Sequence, residues 1–332
     1  MTRAALTRAI AVVFSATVVM LLVAGCGQDI DGTAVATGRG YRANVTPQRA
    51  QDRLSEQDQV RRLDPCGFID SGAINAIGRP WYVGAALSQD ECEVRWDRNT
   101  TPNRIGYMTI GLSVTADGTG SKSTISGRTA YESDHLGMCS ILLHYAGERG
   151  FHYTLHGSDD VSSCPELRTI VTASAPLLST RPMREASTTM PKTKAWTLDP
   201  CDALNAAYPS DQRFYMVGLD PFSCDFWLGT RANPDDSNRN TITYFNIQQT
   251  QAAFVPDGDR RLQIAGINAT EHTGSGNSCT ITAYVGVSNP FPTINHRGDP
   301  EPWIEVLEVR SHQGCDAARR LAADTVKAYQ RD

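Results

Sequence analysis

The sequence predicts an α+β protein of two tandem disulfide-stapled domains, each an antiparallel sheet with an N-terminal and a C-terminal helix. Three observations carry that prediction. Leu63-Asp64-Pro65-Cys66 recurs as Leu198-Asp199-Pro200-Cys201. Each copy opens a segment of about 110 to 135 residues, an ordinary single-domain length. Each segment holds four cysteines, separated by runs that alternate apolar and polar residues as half-buried strands do.

The totals agree with this reading. A chain of 332 residues with 40% hydrophobic and 20% charged residues is long enough for two cores. A formal net charge of -5 argues against nucleic acid as a partner, because non-specific binding needs a basic surface. Nine cysteines divide into one plus two sets of four. No close Cys-x2-Cys pairs exist, so disulfides in an oxidising compartment are expected rather than zinc.

The N-terminus indicates the compartment. Arg3 and Arg8 precede an apolar run from Ile10 to Ala24, which ends in Val23-Ala24-Gly25-Cys26. A basic start, an apolar centre and small residues at the end make a secretory signal over residues 1–25. The ending resembles the bacterial lipobox, which implies cleavage after Gly25 and diacylation of Cys26. The membrane is then a partner through a lipid anchor, at the extracytoplasmic face of the cell membrane. Residues 26–62 lack periodicity and are expected to form the lipidated cysteine and a flexible tether.

The first repeat covers residues 63–178. Ile69, Ala73 and Ile77 recur at helical spacing, with Gly78 and Pro80 ending the helix. Cys92, Val94 and Trp96 share one parity and predict a strand with its cysteine inward. Met108 to Val114 alternates likewise. Cys139 heads a strand through Ile141, Leu143 and Tyr145, and Phe151, Tyr153 and Leu155 return it as a hairpin. Pro165 sits in the first turn of a closing helix with Leu167, Ile170, Val171 and Leu178 on one face.

A Ser-, Thr- and Pro-rich linker, residues 179–195, leads to the second repeat at 196–332. There Cys224, Phe226 and Leu228 echo the earlier cysteine strand, and Thr241 to Gln249 is rich in β-formers. Ile264-Ala265-Gly266 echoes Ile125-Ser126-Gly127. Cys279 heads a strand whose expected partner is Trp303 to Val309, and Cys315 opens the last helix. A longer loop before Trp303 distinguishes this copy.

Four cysteines allow three pairings. The reading favours Cys66–Cys92 and Cys139–Cys164, with Cys201–Cys224 and Cys279–Cys315 alongside, since each would pin a helix start to a strand. Each staple is expected to govern its own repeat only.

Asp64-Pro65-Cys66 with Cys92-Glu93-Val94-Arg95-Trp96, and again Asp199-Pro200-Cys201 with Cys224-Asp225-Phe226-Trp227, resembles the DUF3558 family of mycobacterial and related actinobacterial lipoproteins. The resemblance covers about residues 63–178 and 196–330. It departs from the family in having two copies where one is usual, and in the second copy's Trp being shifted by one position. It implies a cell-envelope lipoprotein with small α+β sandwich domains similar to the Mog1/PsbP fold. It supplies no catalytic residues and no cofactor.

Candidate sites are few. His144, His152 and His156 share the polar face of the predicted hairpin if Tyr145 pairs with Phe151, and cross-strand imidazoles suit zinc when a third ligand joins them. Trp81-Tyr82, Trp227 and Phe291 could line a binding cleft. No Gly-x-Ser-x-Gly, His-Glu-x-x-His or Ser-x-x-Lys set points to hydrolysis. The expected function is therefore a non-catalytic envelope lipoprotein binding a lipid, glycan or protein partner. The alternatives are an envelope-polymer hydrolase or transferase with an unrecognised site, and a metal-binding or sensing module.

Overall fold

Alternating residues build two sheets, joined by segments that bury unexpected polar groups. The computed structural model describes residues 40–331 except 116–117, 147–148, 159, 219, 233–237 and 296. The expected signal sequence 1–25 and Cys26 lie outside the described residues. Among the described residues, no helix is long and apolar enough to cross a membrane.

Numbered in chain order, the elements begin with β1 (Val45–Thr46), α1 (Gln48–Arg61) and α2 (Ser71–Ile77). The strands β2 (Tyr82–Ala85), β3 (Glu91–Arg95), β4 (Tyr107–Thr115), β5 (Ser121–Ile125), β6 (Arg128–His135), β7 (Met138–Ala146) and β8 (Arg149–His156) follow, then α3 (Cys164–Ser174). These strands form a seven-stranded antiparallel sheet in the order β2-β3-β4-β8-β7-β6-β5. Its inner face carries Cys92, Val94, Met108, Ile110, Ile141, Tyr153 and Leu155, all buried, and α3 packs Leu167, Ile170 and Val171 against them.

Next come α4 (Leu204–Ala207), β9 (Phe214–Met216), β10 (Ser223–Leu228), β11 (Arg239–Gln248), β12 (Arg260–Ile264), β13 (Ile267–Thr273), β14 (Cys279–Ala283), β15 (Phe291–Ile294), β16 (Pro300–Ser311) and α5 (Cys315–Arg331). Here the order is β9-β10-β11-β16-β14-β13-β12, with β1 added in parallel beyond β9 and β15 added on β16. Ala318, Leu321, Ala322 and Val326 of α5 cover the inner face, at the three- and four-residue spacing of an amphipathic helix.

Disulfides join Cys66 to Cys92, Cys139 to Cys164, Cys201 to Cys224 and Cys279 to Cys315. The repeated Asp-Pro-Cys has a local cause. Asp64 Oδ1 accepts the Cys66 backbone N–H at 2.9 Å, and Asp199 Oδ1 accepts that of Cys201 at 2.9 Å. The aspartate closes an Asx turn, the proline fixes its φ, and the turn aims the cysteine inward.

The tether expected over residues 26–62 is corrected from Gly40 onward. Tyr41, Val45, Ala50 and Leu54 are buried in the core of the second sheet, although they precede the first repeat. Helix α1 turns Ala50, Leu54, Gln57, Val60 and Arg61 to the interior. Two of those five are polar, and their hydrogen bonds make burial tolerable. Gln57 Nε2 donates to Asp220 O at 2.8 Å and Arg61 Nη1 to Pro221 O at 2.7 Å. The Tyr41 hydroxyl donates to Asp199 Oδ2 at 2.5 Å.

The linker 179–195 is anchored in the same way, but to the first half. Met190 lies in the first core, and the Arg184 backbone N–H donates to Arg62 O at 2.7 Å. The Arg184 side chain is 0% exposed. It donates to Gln89 O at 2.6 Å and to Gln89 Oε1 at 3.1 Å, while Gln89 Nε2 donates to Asn246 Oδ1 at 2.7 Å. Glu305 accepts from Ala195 N at 2.7 Å and from the Tyr329 hydroxyl at 2.7 Å. This buried polar network spans both sheets, and Gly40 to Asp332 form one compact unit.

Candidate functional site

The outer face of the first sheet begins the site. Alternation sends Cys92 and Val94 inward, and so turns Glu93 and Arg95 of β3 outward, beside Tyr107 of β4 and His156 of β8. Arg95 Nε and Nη2 donate to the two oxygens of Glu93 at 2.7 and 2.8 Å, a bidentate pair that neutralises the guanidinium. Its plane lies over the Trp81 ring, 5.8 Å from the centroid, and over Tyr82 at 5.7 Å. Burial and the Glu93 charge push the Tyr82 phenol up to about 12, so it stays a donor, bonded to Ala85 O at 2.7 Å.

Tyr107 stacks on His156 with centroids 4.0 Å apart. Burial, and then the Arg98 charge, lower the His156 pKa, so this imidazole is neutral at pH 7. Trp96 forms a floor, 3% exposed, with its indole N–H on Gly78 O at 2.9 Å.

The opposite wall comes from the β15–β16 hairpin. Phe291 and Trp303 of that hairpin are buried in the first core. Arg95 Nη1 donates across to Ile294 O at 3.2 Å. Between the strands, Asn295 Oδ1 accepts the backbone N–H groups of Arg297 at 2.8 Å and Asp299 at 3.1 Å, and Gly298 takes φ 86°. This self-bonded turn presents Arg297 to the cleft.

The result is a cleft of about 810 Å³ lined by Trp81, Trp96, Tyr107, Arg95, Arg98 and Arg297, with Glu93 and Asp97. Both carboxylates are engaged, Glu93 with Arg95 and Asp97 Oδ1 with the Asn99 N–H at 2.9 Å. Arg98 and Arg297 are exposed. Among the described residues, neither guanidinium has a carboxylate partner. Such a cleft stacks planar or sugar rings and attracts anions.

The histidines expected as metal ligands are not gathered. A bulge between His144 and Ala146 sets Leu143 opposite Phe151, His144 opposite Gly150 and His152 opposite Leu142. His156 is spent on Tyr107. Tyr145 still meets Phe151 edge-on at 4.8 Å, so the bulge keeps the aromatic contact and changes only the register. Among the described residues, the one set of three close ligand atoms is Glu271 with Cys279 and Cys315, and those cysteines are joined to each other. His272 and Asp259 form a histidine–carboxylate pair at 2.7 Å, exposed at the edge of the second sheet. Among the described residues, no serine, threonine or cysteine side chain hydrogen-bonds to the His272 ring or the Asp259 carboxylate.

Of the aromatics picked from the sequence, Trp81 lines the cleft, while Trp227 and Phe291 are buried. Arg98 and Arg297 lie in loops 199 positions apart, where no periodicity marks them. The extra loop length before Trp303 was the available signal, because an added hairpin needs a surface to lean on. Compared with known proteins, the chain matches no family model, no curated protein and no solved structure.

Proposed function

We propose that this chain is a non-catalytic lipoprotein, held at the outer face of the cytoplasmic membrane through Cys26, that binds an envelope lipid, glycan or protein partner in the Trp81–Arg297 cleft. The observation that carries the binding role is the cleft itself: three guanidiniums and the Trp81, Trp96 and Tyr107 rings line it, with Glu93 and Asp97 beside them, a surface suited to holding a ligand. Support for the anchor comes from the Val23-Ala24-Gly25-Cys26 ending.

We also read the two halves as copies of one domain, similar to the DUF3558 family. Support comes from the shared order of seven strands and from a disulfide at matching strands in each half. The closing helix tied by a second disulfide repeats as well.

Native mass spectrometry on the chain from Gly27 onward, secreted from an actinobacterial host, tests the binding role. Added discrete mass of lipid or glycan size is expected. A clean protein mass, with no partner recovered by crosslinking on intact cells, would sink it. Loss of radiolabelled palmitate in Cys26→Ser tests the anchor.

A further inference from the structure

We propose that the cleft takes an anionic saccharide, a sugar ring bearing a carboxylate or a phosphate, with the anion bridging Arg98 and Arg297. This rests on the cleft being a ligand site and names what it would hold. Three guanidiniums reach the cleft, and Glu93 satisfies only that of Arg95. The other two come from opposite walls, Arg98 from the β3–β4 loop and Arg297 from the hairpin turn. An anion between them meets two planar forks that can each bond it bidentately. Three arginines against Glu93 and Asp97 leave the lining one positive charge in excess, which favours an anion over a cation.

Shape and surface add the sugar. Ligand clefts run from about 300 to 1,000 Å³, and this one lies within that range. Tyr107 has His156 stacked on one side, which holds the ring rigid while the ring lines the cleft. An aromatic face carries partial negative charge and attracts the polarised C–H groups of a pyranose. A bare phosphate would leave this aromatic surface unused, and an aliphatic chain would leave the arginines unused.

Gly106 is a positioning residue. A β-carbon there would collide with the Arg98 guanidinium, which lies against the Gly106 backbone. Gly106→Ala therefore displaces the cation without touching the core.

The test is calorimetric titration of the chain from Gly27 onward with glucuronic acid and with glucose 6-phosphate, beside glucose and inorganic phosphate. At least one anionic sugar is expected to bind roughly tenfold tighter than either control, and to weaken as salt rises. Arg98→Gln and Arg297→Gln should each weaken it by about tenfold. Gly106→Ala should weaken it with Tm unchanged, the readout a merely structural role would not give. Preference between the two probes identifies the anion.

Equal binding of phosphate, equal binding of glucose, indifference to both arginine variants, or no binding of any probe overturns the proposal. Retained mass in the native spectrum together with no sugar binding leaves the binding-protein reading standing and moves its cargo elsewhere. A clean mass with no partner removes both.

Discussion

The two sheets repay comparison strand by strand. Cys92 pairs across β4 with Ile110, and Cys224 across β11 with Ile242, which sets the equivalence. Arg95 then lies between Tyr82 and Tyr107, while Trp227 lies between Tyr215 and Arg239. Each sheet sets an arginine beside aromatics and an acid, but the arginine and one aromatic have exchanged strands. In the second sheet Arg239 sits over the Trp227 ring at 5.4 Å and reaches Asp225 at 3.5 Å. Among the described residues, only the first sheet has a hairpin leaning over this patch. The second sheet has two strands more than the first, β1 and β15. Strand β1 brings the chain's early residues into the second core, and the β15–β16 hairpin takes Phe291 and Trp303 into the first. The additions weld the halves together and make the cleft one-sided.

The largest test of that weld is Arg184→Leu. It strips the buried network of its cation, leaves the Gln89 carbonyl oxygen unmet and leaves the Gln89 amide oxygen with the Thr193 hydroxyl alone, at a cost of about 2–4 kcal/mol. Both halves should fall together. Urea unfolding followed by far-UV circular dichroism and by tryptophan fluorescence should give one coincident transition, shifted in the variant. Two transitions, with only one shifted, would separate the halves again.

Removing a staple comes next. Cys66→Ala with Cys92→Ala, or Cys201→Ala with Cys224→Ala, opens loops with sequence separations of 26 and 23, worth about 3 kcal/mol each on the chain-entropy view. The sequence alone suggested damage confined to one repeat. The shared network and exchanged segments predict instead that either pair lowers the single Tm by a similar amount. Selective loss of one half, seen as a surviving transition, would restore independence.

What the sequence revealed follows from where apolar residues sit. Cys92-Val94 and Cys224-Phe226 alternate cleanly because one face of each strand is wet, so strands, cysteine pairs and closing helices were legible. Helix α1 was not. Its buried face runs Ala50, Leu54, Gln57, Val60, Arg61 at helical spacing, but Gln57 and Arg61 use buried carbonyls as partners, and a hydropathy pattern reads them as surface. The His144 register failed twice over: Ala146 already lies opposite Arg149, one position tighter than a Tyr145–Phe151 pair implies, and one bulged residue then shifts the pairings beyond it by one more. The cleft was half legible: Trp81 stood out, whereas Arg297 matters only once the hairpin is seen to cross onto the other half.

A smaller effect should appear with pH. Burial, and then the charge of Asp90, push Glu91 up to about 7, and the same two causes raise Asp220. Both exceed the ordinary carboxylate range near 4, so the folded chain holds protons that the unfolded chain releases. Their contribution is present in full below that range and is lost as pH rises through about 7. Tm should therefore fall between about pH 6.5 and pH 8, above the range in which His152 and His156, held neutral by burial, act in the opposite sense. Asp220→Asn keeps an acceptor for the Phe222 N–H and should flatten that fall, with its gain at pH 8 and little change at pH 5.5. An equal gain at both values would point to a cause other than titration.

The smallest effect lies in one turn. Ser126-Gly127 and Ala265-Gly266 close equivalent hairpins with positive φ at both positions, so the halves agree there. They differ at the next turn. The second half uses Gly276 and Asn277, residues at ease with positive φ, whereas the first uses Leu136 and Gly137. Leu136 holds φ 39° with its side chain 87% exposed. A leucine in the left-handed region costs about 1 kcal/mol, and exposure returns nothing for it. Leu136→Asn should raise stability by about 0.5–1 kcal/mol, read as a higher urea midpoint at constant slope. A lower midpoint would mean that the leucine packs against something in solution. The two turns would then differ in purpose as well as in residue, and the end of the first sheet nearest the cleft would be the face to probe.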